Sequence, residues 1–402
     1  MKHFIFTLKL NFSMFFFSIA AIVGTDYTGS SEYYIVMLSL GVLCFVSILK
    51  SYFFHNAVPL RKVNLFFYLL PILTTLIYLI ESPTTDNGYL YFSVYLAYCF
   101  PAIYIGTFVS SNRLLGEMAK WWELILVVIT IGIIVSLPKM IYLNFISLGG
   151  GLSYQTISYI SAFAFSLSLF SLLFGDKYPR FYFFKSKFFR YFTYLIMFFQ
   201  VVAIFITGGR GGFLVLFFSS GILILTKLRN GVKFKKVIIL IILTTVFFFI
   251  ISYFLSDKAE YLLEIGSERI FSFITPNGID MSNTSGRDEY YFKAIKLIKD
   301  RPIFGYGIFK YVDTSIDYPH NIFLEFLLQG GVFYFLFWII ILIKFYVKFK
   351  RILKFDYAHL ILIPITIYPF TQLMFSGTYL KTALFWFVIA YVFNYKPLLK
   401  NK

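Results

Sequence analysis

The chain has 402 residues and a mass of 47.0 kDa. Apolar residues make up 59% of it and charged residues only 14%, with a mean hydropathy of +0.79, whereas charged residues form about 25% of an average soluble domain. A water-soluble protein of this size could not bury so many apolar side chains, so the composition excludes a soluble globular protein. The net charge of +17 raises the question of where the basic residues lie along the chain.

Apolar runs long enough to cross a bilayer recur along the whole sequence. Polar backbone groups in lipid must be paired within their segment, and these runs lack the alternation of barrel strands, so they predict helices. We predict an all-α polytopic membrane protein, a single membrane domain over residues 1–402, with about twelve transmembrane helices. The expected spans are Phe4–Val23, Tyr34–Phe54, Leu65–Ile80, Leu90–Val109, Glu123–Pro138, Thr156–Phe174, Phe192–Thr207, Phe213–Thr226, Val237–Leu255, Ile322–Lys344, Tyr357–Phe375 and Thr382–Tyr395.

Basic residues alternate between the connections of these spans. One set of connections is rich in Lys and Arg, and the other carries only Lys139, Arg210 and Lys381 outside one long loop, residues 256–320. Because basic connections stay in the cytoplasm, we expect both termini to be cytoplasmic and the loop, between the ninth and tenth spans, to be extracytoplasmic. The net charge is then a consequence of topology and does not indicate a nucleic-acid partner.

A glycine-rich hinge on the extracytoplasmic side contains the first candidate functional residue. The segment Gly208-Gly209-Arg210-Gly211-Gly212 separates the seventh and eighth spans. Backbone N–H groups in such a segment can converge on an anion, and a guanidinium can bind phosphate oxygens through two hydrogen bonds. The alternative is a tight turn in which Arg210 only reaches the lipid headgroups.

A second arginine lies in the long loop. Ser285-Gly286-Arg287-Asp288 has the pattern of a helix start, with Ser285 as N-cap, and the helix is expected to run to about Lys299. Its expected apolar stripe is Tyr291, Ile295 and Ile298. Arginine in a first turn opposes the helix dipole, which favours an anion bound there. The alternative is an ion pair between Arg287 and Asp288, Glu289 or another acid of the loop.

The end of the loop contains a candidate histidine. After a glycine turn, Phe304-Gly305-Tyr306-Gly307, residues His320 and Asn321 lie where the chain enters the tenth span. Such a histidine is well placed as a base or hydrogen-bond donor, although a structural role is the alternative. Gly330-Gly331 in the same span indicates close helix packing.

These elements, in this order, resemble the O-antigen ligase/O-antigen polymerase superfamily of bacterial envelope polysaccharide synthesis. The resemblance rests on the arginine in its glycine hinge, the Arg287 helix, the segment 302–307 and the run from His320 to Gly331. By motif it covers about Val201–Lys344. In addition, Tyr154 and Gln155 resemble a loop of some polymerases.

The resemblance implies an inverting glycosyltransferase of the broad GT-C membrane type, in the bacterial inner membrane with its active site facing the periplasm. The donor would be an oligosaccharide on undecaprenyl pyrophosphate, and no metal or cofactor would be needed. Arg210 and Arg287 would bind the pyrophosphate and stabilise the leaving group, and His320 would assist or position the acceptor hydroxyl. The expected binding residues are Arg210, Arg287, Gly209, Gly211, Tyr306, Asn321, Tyr154 and Gln155.

The motifs leave several activities open. We favour an O-antigen polymerase, because of Tyr154 and Gln155, over a ligase that transfers the glycan to lipid A-core. A flippase for lipid-linked oligosaccharides predicts charges midway along several spans and related halves of the chain, and neither is visible. Membrane lipids and a chain-length regulator protein are the other expected partners.

Overall fold

The computed structural model describes most of the chain from residue 62 onward. The described residues are 62–143, 154–175, 182–229, 257–271, 274–275, 278–279, 287–314, 316, 318–355 and 357–396, together with Val46. The predicted spans Phe4–Val23 and Val237–Leu255 lie outside them, as does Tyr34–Phe54 except for Val46. The predicted N-cap Ser285 lies outside them as well.

Helices dominate the described residues. They are α1 (Lys62–Glu81), α2 (Asp86–Val94), α3 (Phe100–Asn112), α4 (Leu115–Leu143), α5 (Tyr154–Phe174), α6 (Lys187–Thr207), α7 (Arg210–Arg229), α8 (Asp257–Phe271), α9 (Arg287–Asp300), α10 (Ile322–Phe355), α11 (Leu362–Phe375) and α12 (Ala383–Asn394). A π-helical turn, Tyr95–Cys99, joins α2 to α3. A two-stranded antiparallel ribbon of β1 (Ile274–Thr275) and β2 (Gly278–Ile279) follows α8.

The predicted all-α membrane architecture is confirmed in its class. Among the described residues, five segments are long and apolar enough to cross a membrane: Asp86–Asn112, Tyr154–Phe174, Lys187–Thr207, Arg210–Arg229 and Ile322–Lys354. Three shorter apolar helices are Leu65–Glu81, His359–Phe375 and Ala383–Asn394. The predicted span Glu123–Pro138 lies within α4. The total of about twelve spans and the orientation remain predictions.

Helix α5 is the centre of the bundle. It packs against α6 and α7, while α3 packs against α12 and α7 against α11. The serines Ser158, Ser161, Ser166 and Ser168 on α5 are fully buried. Small residues of this kind let helix backbones approach closely within a membrane, and this close approach fixes where α5 and α7 begin relative to each other.

The tenth predicted span is broken rather than continuous. Gly330 (φ −136°, ψ 18°) and Gly331 (φ 62°, ψ −158°) leave helical geometry inside α10. The expectation of a helix–helix contact at these glycines was wrong, because a Cβ on Gly331 would lie 2.2 Å from the carbonyl oxygen of Ile303, in the preceding loop. Val332 N–H donates to the Pro302 carbonyl oxygen at 2.9 Å, which fixes the loop to the break.

Helix α9 begins and ends close to the predicted limits, but its inward face differs. Ala294 is fully buried, whereas Ile295 is 42% exposed, so the predicted stripe of Tyr291, Ile295 and Ile298 was wrong at Ile295. The helix packs on α10. Arg287, Tyr291 and Ala294 lie on one side of the helix, at i, i+4 and i+7, and all three are buried or half-buried. This side, which includes Ala294 in place of Ile295, is the inward face of α9.

Candidate functional site

A polar cavity brings together residues from five separate parts of the chain. It has a volume of about 310 Å³, counting the solvent at its mouth, and we call it the arginine cavity. Its lining residues are Tyr154, Gln155, Tyr159, Gly208, Gly209, Arg210, Gly211, Arg269, Arg287 and Ser376. Three of these ten residues are arginines and none is acidic, so the lining itself carries positive charge.

Three helix N-termini meet at this cavity. Among the described residues, α5 begins at Tyr154, α7 at Arg210 and α9 at Arg287, and all three residues line the cavity. The first-turn N–H groups of a helix lack partners within the helix, and the macrodipole places partial positive charge there. Three such ends beside three guanidinium groups make the arginine cavity a strong candidate for binding an anion with several oxygens.

Arg210 connects the start of α7 to the end of α8. Its Nε donates a hydrogen bond of 2.8 Å to the carbonyl oxygen of Arg269, in the last turn of α8. The charges of Arg269 and Arg287 both act on the Arg210 guanidinium. Like charges placed close together repel, so a bound anion would relieve an unfavourable arrangement.

The glycines beside Arg210 are required by close packing on α5. A Cβ on Gly211 would lie 1.8 Å from the Tyr159 hydroxyl oxygen, and one on Gly209 would lie 2.3 Å from the Ser158 Cβ. The Ser158 hydroxyl donates to the Gly209 carbonyl oxygen at 3.0 Å. Both glycines line the cavity as expected, and their lack of a side chain lets α7 begin directly against α5.

Arg269 is a cavity residue that the sequence did not reveal. Its guanidinium carbon lies 4.1 Å from the centre of the Tyr154 ring, and its Nη2 donates to the Tyr154 hydroxyl at 2.5 Å. Gln155 Nε2 donates to the same hydroxyl at 3.0 Å. Arg269 was one of several basic residues in the long loop, and no spacing or motif distinguishes it from the others.

Ser376, between α11 and α12, also escaped the sequence analysis. Arg287 Nη2 donates to its hydroxyl at 3.4 Å, and the Tyr159 hydroxyl lies 3.4 Å from the same oxygen. Arg287 therefore contacts a serine that lines the cavity, in addition to any ion pair with an acid of the loop. Ser376 lies about ninety residues beyond Arg287, so only the folded chain shows this contact.

His320 lies beside the arginine cavity but does not line it. Its ring is 4.4 Å from the ring of Tyr318 and 5.3 Å from that of Tyr290, on α9. The Tyr318 hydroxyl donates to the Ser376 carbonyl oxygen at 3.2 Å, so one tyrosine separates the histidine from the cavity wall. His320 has a left-handed backbone, with φ 51°. Strained backbone of this kind is concentrated at functional sites.

Asn321 and Tyr306 have structural contacts that the sequence analysis did not anticipate. Asn321 Oδ1 accepts hydrogen bonds from the N–H groups of Phe323 (2.9 Å) and Leu324 (3.2 Å), so it caps α10. Tyr306 N–H donates to the Leu328 carbonyl oxygen at 2.8 Å, just before the break in α10. Neither residue lines the arginine cavity, and a binding role for them remains a prediction.

Of the expected site residues, the structure brings six into the arginine cavity: Tyr154, Gln155, Gly209, Arg210, Gly211 and Arg287. His320 is adjacent to it. In the part of the chain that the structure describes, no group of three or more His, Cys, Asp or Glu side chains is arranged to hold a metal ion.

A second, apolar cavity adjoins the same connection between α11 and α12. It has a volume of about 1200 Å³, counting the solvent at its mouth, and is lined mainly by α1, the second half of α10 and α12. Tyr379 and Leu380 line it, whereas Ser376 lines the arginine cavity. Three residues of extended chain span at most about 11 Å, so the two cavities lie close together.

Comparison with known proteins identifies the middle of the chain. Residues 195–339 match the family model described as O-Antigen ligase. No curated protein and no solved structure matches the chain. The matched segment contains Arg210, Arg269, Arg287 and His320, but not Tyr154 or Ser376. Residues 195–339 of this chain are therefore similar to the O-antigen ligase family, in agreement with the resemblance seen in the sequence motifs.

Proposed function

We propose that the protein is an O-antigen polymerase of the bacterial inner membrane. It would join oligosaccharide repeat units carried on undecaprenyl pyrophosphate, at the periplasmic face of that membrane. The observation that carries the proposal is the convergence of Arg210, Arg269 and Arg287 with three helix N-termini on one cavity. A pyrophosphate diester has the charge and the number of acceptor oxygens that such a cavity can bind.

The chemistry of the transfer gives the arginines a role in the reaction itself. An acceptor hydroxyl oxygen would attack the anomeric carbon of the donor from the face opposite the pyrophosphate, which inverts the configuration. The bond between that carbon and the pyrophosphate oxygen breaks, and its electron pair stays on the oxygen. Negative charge therefore grows on the leaving undecaprenyl pyrophosphate, where fixed guanidinium groups stabilise it in the transition state.

His320 is proposed to act on the acceptor side of the reaction. The attacking hydroxyl loses a proton, and an imidazole can accept it near neutral pH. The position of His320 beside Tyr318 and Tyr290, next to the arginine cavity rather than inside it, supports a division in which arginines bind the donor and the histidine orients the acceptor.

The apolar cavity supports a lipid-linked donor. Apart from Thr74, its walls are aliphatic and aromatic side chains, which suit a polyprenyl chain. Its lining residue Tyr379 lies three residues after Ser376. An anionic group in the arginine cavity could therefore be continuous with an apolar chain in the second cavity, as a polyprenyl pyrophosphate requires.

An O-antigen ligase is the second candidate, because the matching family model carries that description. The donor has the same pyrophosphate end in both reactions, so the arginine cavity is compatible with either. The polymerase is favoured by Tyr154 and Gln155, which resemble a polymerase loop and which line the arginine cavity. The acceptor, rather than the donor, distinguishes the two activities.

Reconstitution with defined substrates tests the proposal. Purified protein in liposomes would receive undecaprenyl-pyrophosphate repeat units alone, and product length would be followed by gel electrophoresis and mass spectrometry. Chain growth supports the polymerase, and turnover only after addition of lipid A-core supports the ligase. Movement of the lipid across the bilayer without new glycosidic bonds would overturn both in favour of a flippase.

A further inference from the structure

A buried carboxyl group on α10 lies outside the reaction described above. Glu325 is fully buried, and its Oε1 accepts hydrogen bonds from the hydroxyls of Thr378 (2.5 Å) and Tyr311 (3.2 Å). Gln329 Nε2 donates to the same oxygen at 3.2 Å. The other oxygen, Oε2, is buried and has no hydrogen-bond partner among the described residues. Burying a carboxyl group with one unpaired oxygen lowers the stability of the fold, so we expect Glu325 to have a role that offsets this cost.

The hydrogen-bond partners of Glu325 indicate what this role is. Thr378 lies two residues after Ser376, in the connection between α11 and α12 that lines the arginine cavity. Tyr379, the next residue, donates from its hydroxyl to Gln329 Oε1. The first half of α10 therefore holds this connection through two side chains, Glu325 and Gln329, that point the same way.

The same connection is ordered by its own hydrogen bonds. The Leu380 N–H donates to the Thr378 hydroxyl at 3.2 Å, and that hydroxyl donates onward to Glu325. The Lys381 N–H donates to the Thr378 carbonyl oxygen at 3.1 Å, and the Ser376 N–H to the Gln372 carbonyl oxygen at 2.7 Å. Thr378 therefore makes hydrogen bonds both within the connection and to Glu325.

We propose that Glu325 is a positioning residue: it holds the segment 376–382 so that Ser376 faces Arg287 in the arginine cavity. The proposal rests on the proposed function for the identity of the bound anion. Ser376 lies outside the segment that matches the family model, so Glu325 would couple the shared domain to a part of the cavity wall particular to the C-terminal region of this chain. Loss of the carboxyl oxygen would release the loop without touching any arginine.

The role requires an acceptor oxygen rather than a charge, and substitutions separate the two. Glu325→Gln keeps an oxygen where Oε1 accepts its hydrogen bonds, whereas Glu325→Leu removes it. Thr378→Val removes the donor from the other side with little change in shape. Glu123 is the matched control, because it is a second buried carboxyl that accepts from a serine hydroxyl, Ser171 at 2.6 Å, but on α4.

The experiment uses the full chain in lipid nanodiscs and two measurements. Amide hydrogen exchange, read by mass spectrometry, reports the order of residues 376–382, and calorimetry reports the affinity for inorganic pyrophosphate. Glu325→Leu and Thr378→Val are expected to accelerate exchange in 376–382 and to weaken pyrophosphate binding about tenfold, the equivalent of one lost hydrogen bond. Glu325→Gln and Glu123→Leu are expected to change neither.

The two measurements fail independently. Unchanged exchange in 376–382 in both Glu325→Leu and Thr378→Val overturns the positioning role, even if pyrophosphate binds well. Accelerated exchange together with unchanged affinity overturns the link to the cavity. If the wild-type protein binds no pyrophosphate while the loop is released as expected, the positioning role stands and the proposed function is wrong. If Glu325→Leu does not fold, Glu325→Ala carries the test, because it also removes the acceptor oxygen, whereas Thr378→Val removes the acceptor of the Leu380 N–H as well.

Discussion

Helix α5 contributes polar side chains to two clusters that differ in design. At its N-terminus, Tyr154 and Gln155 line the arginine cavity. Near its other end, roughly 20–25 Å away at 1.5 Å per residue, it joins a second group that we call the interhelical polar cluster. The members of that cluster are Glu123, Thr130, Ser168, Ser171 and Gln200.

In the interhelical polar cluster, the side chains satisfy one another. Ser171 donates to Glu123 at 2.6 Å, Gln200 Nε2 donates to Thr130 at 2.7 Å, and Ser168 donates to Gln200 Oε1 at 3.3 Å. Donors are matched with acceptors, as a buried polar group requires. This cluster joins α4, α5 and α6, and its arrangement is explained by the stability of the fold alone.

In the arginine cavity, the polar groups are instead gathered around open space. The charges of Arg269 and Arg287 both act on the Arg210 guanidinium, in a cavity whose ten lining residues include no carboxylate. Each arginine makes a hydrogen bond within the fold, but the like charges are not neutralised by an acid of the lining, and natural chains depart from local consistency mainly at functional sites. The contrast favours the arginine cavity over the interhelical polar cluster as the proposed ligand site, and mutations in each should separate activity from stability.

The largest effect on activity is expected for the arginines at the helix starts. Arg210→Ala and Arg287→Ala should each lower the rate of polymer formation about 100-fold or more, the usual result of removing a group that stabilises transition-state charge. The protein should remain folded, with an unchanged elution volume. Gel analysis of polysaccharide length is the measurement, and normal chain length in both variants would exclude the arginine cavity as the active site.

A comparable loss of activity without loss of stability is expected at His320. His320→Gly removes the imidazole and also relieves the left-handed backbone at φ 51°, a conformation that glycine adopts freely. We expect about a 100-fold lower rate and a melting temperature equal to or above that of the wild type. A fall in both would mean that the histidine serves the fold and not the reaction.

A smaller loss is expected for Arg269, which reaches the cavity by stacking on Tyr154. Arg269→Ala should raise the KM for the lipid-linked donor about tenfold, the equivalent of one charged hydrogen bond, with a smaller change in kcat. Arg301→Ala is the matched control. Its guanidinium carbon also stacks on a tyrosine, 4.8 Å from the Tyr306 ring centre, but outside the cavity. Equal effects of the two substitutions would exclude a specific role for Arg269.

The interhelical polar cluster should respond in the opposite way. Glu123→Leu removes the 2.6 Å hydrogen bond between Glu123 and the buried Ser171 hydroxyl, which costs about 1–3 kcal/mol of stability. The melting temperature in detergent should therefore fall, while the rate per folded molecule stays near that of the wild type. A loss of activity larger than the loss of folded protein would show that this cluster contributes to function as well.

The sequence predicted the features that depend on neighbouring residues. Apolar runs placed α5, α6, α7, α11 and α12 within a few residues of their observed ends, because hydropathy alone decides whether a segment is stable in lipid. The position of α9 near Arg287 followed in the same way from the local pattern Ser285-Gly286-Arg287-Asp288, which is typical of a helix start. Arg210 and Arg287 were recognised because each lies at a marked local feature, a glycine hinge or a helix start.

The remaining features depend on contacts between distant parts of the chain. Arg269 lies mid-loop and Ser376 between two spans, and only the packing of α8 and α11 around α5 and α7 brings them to the same cavity. The break in α10 was signalled by Gly330-Gly331, but the same pair also fits a helix contact. The helix breaks there because the loop segment 302–307 donates N–H groups to the carbonyl oxygens of Leu328 and Gln329, which the break leaves without helical partners.

The smallest effect is expected for a third polar cluster, around Asp313, which tests whether hydrogen-bonded polar groups stabilise this protein when they are not fully buried. Asp313 accepts hydrogen bonds from the N–H and hydroxyl groups of both Thr84 and Thr85, at 2.6–3.2 Å. Slight burial raises the pKa of Asp313, but these four hydrogen bonds outweigh it, and the pKa lies below its ordinary value. The cluster is paired, like the interhelical one, but Asp313 and Thr85 are only half-buried and Thr84 is exposed, so solvent screens part of its contribution to stability.

Because the folded pKa of Asp313 is depressed, its stabilising contribution is present above the unfolded pKa of about 4 and is lost as the pH falls through the folded value. We expect the melting temperature of the wild type to fall below pH 4 more steeply than that of Asp313→Asn, with little difference in activity at pH 7. Thermal melts between pH 3 and 6 are the measurement. Parallel curves would mean that the four hydrogen bonds contribute nothing. Hydrogen bonds between polar side chains would then stabilise this protein only where they are buried, as the bond between Glu123 on α4 and Ser171 on α5 is.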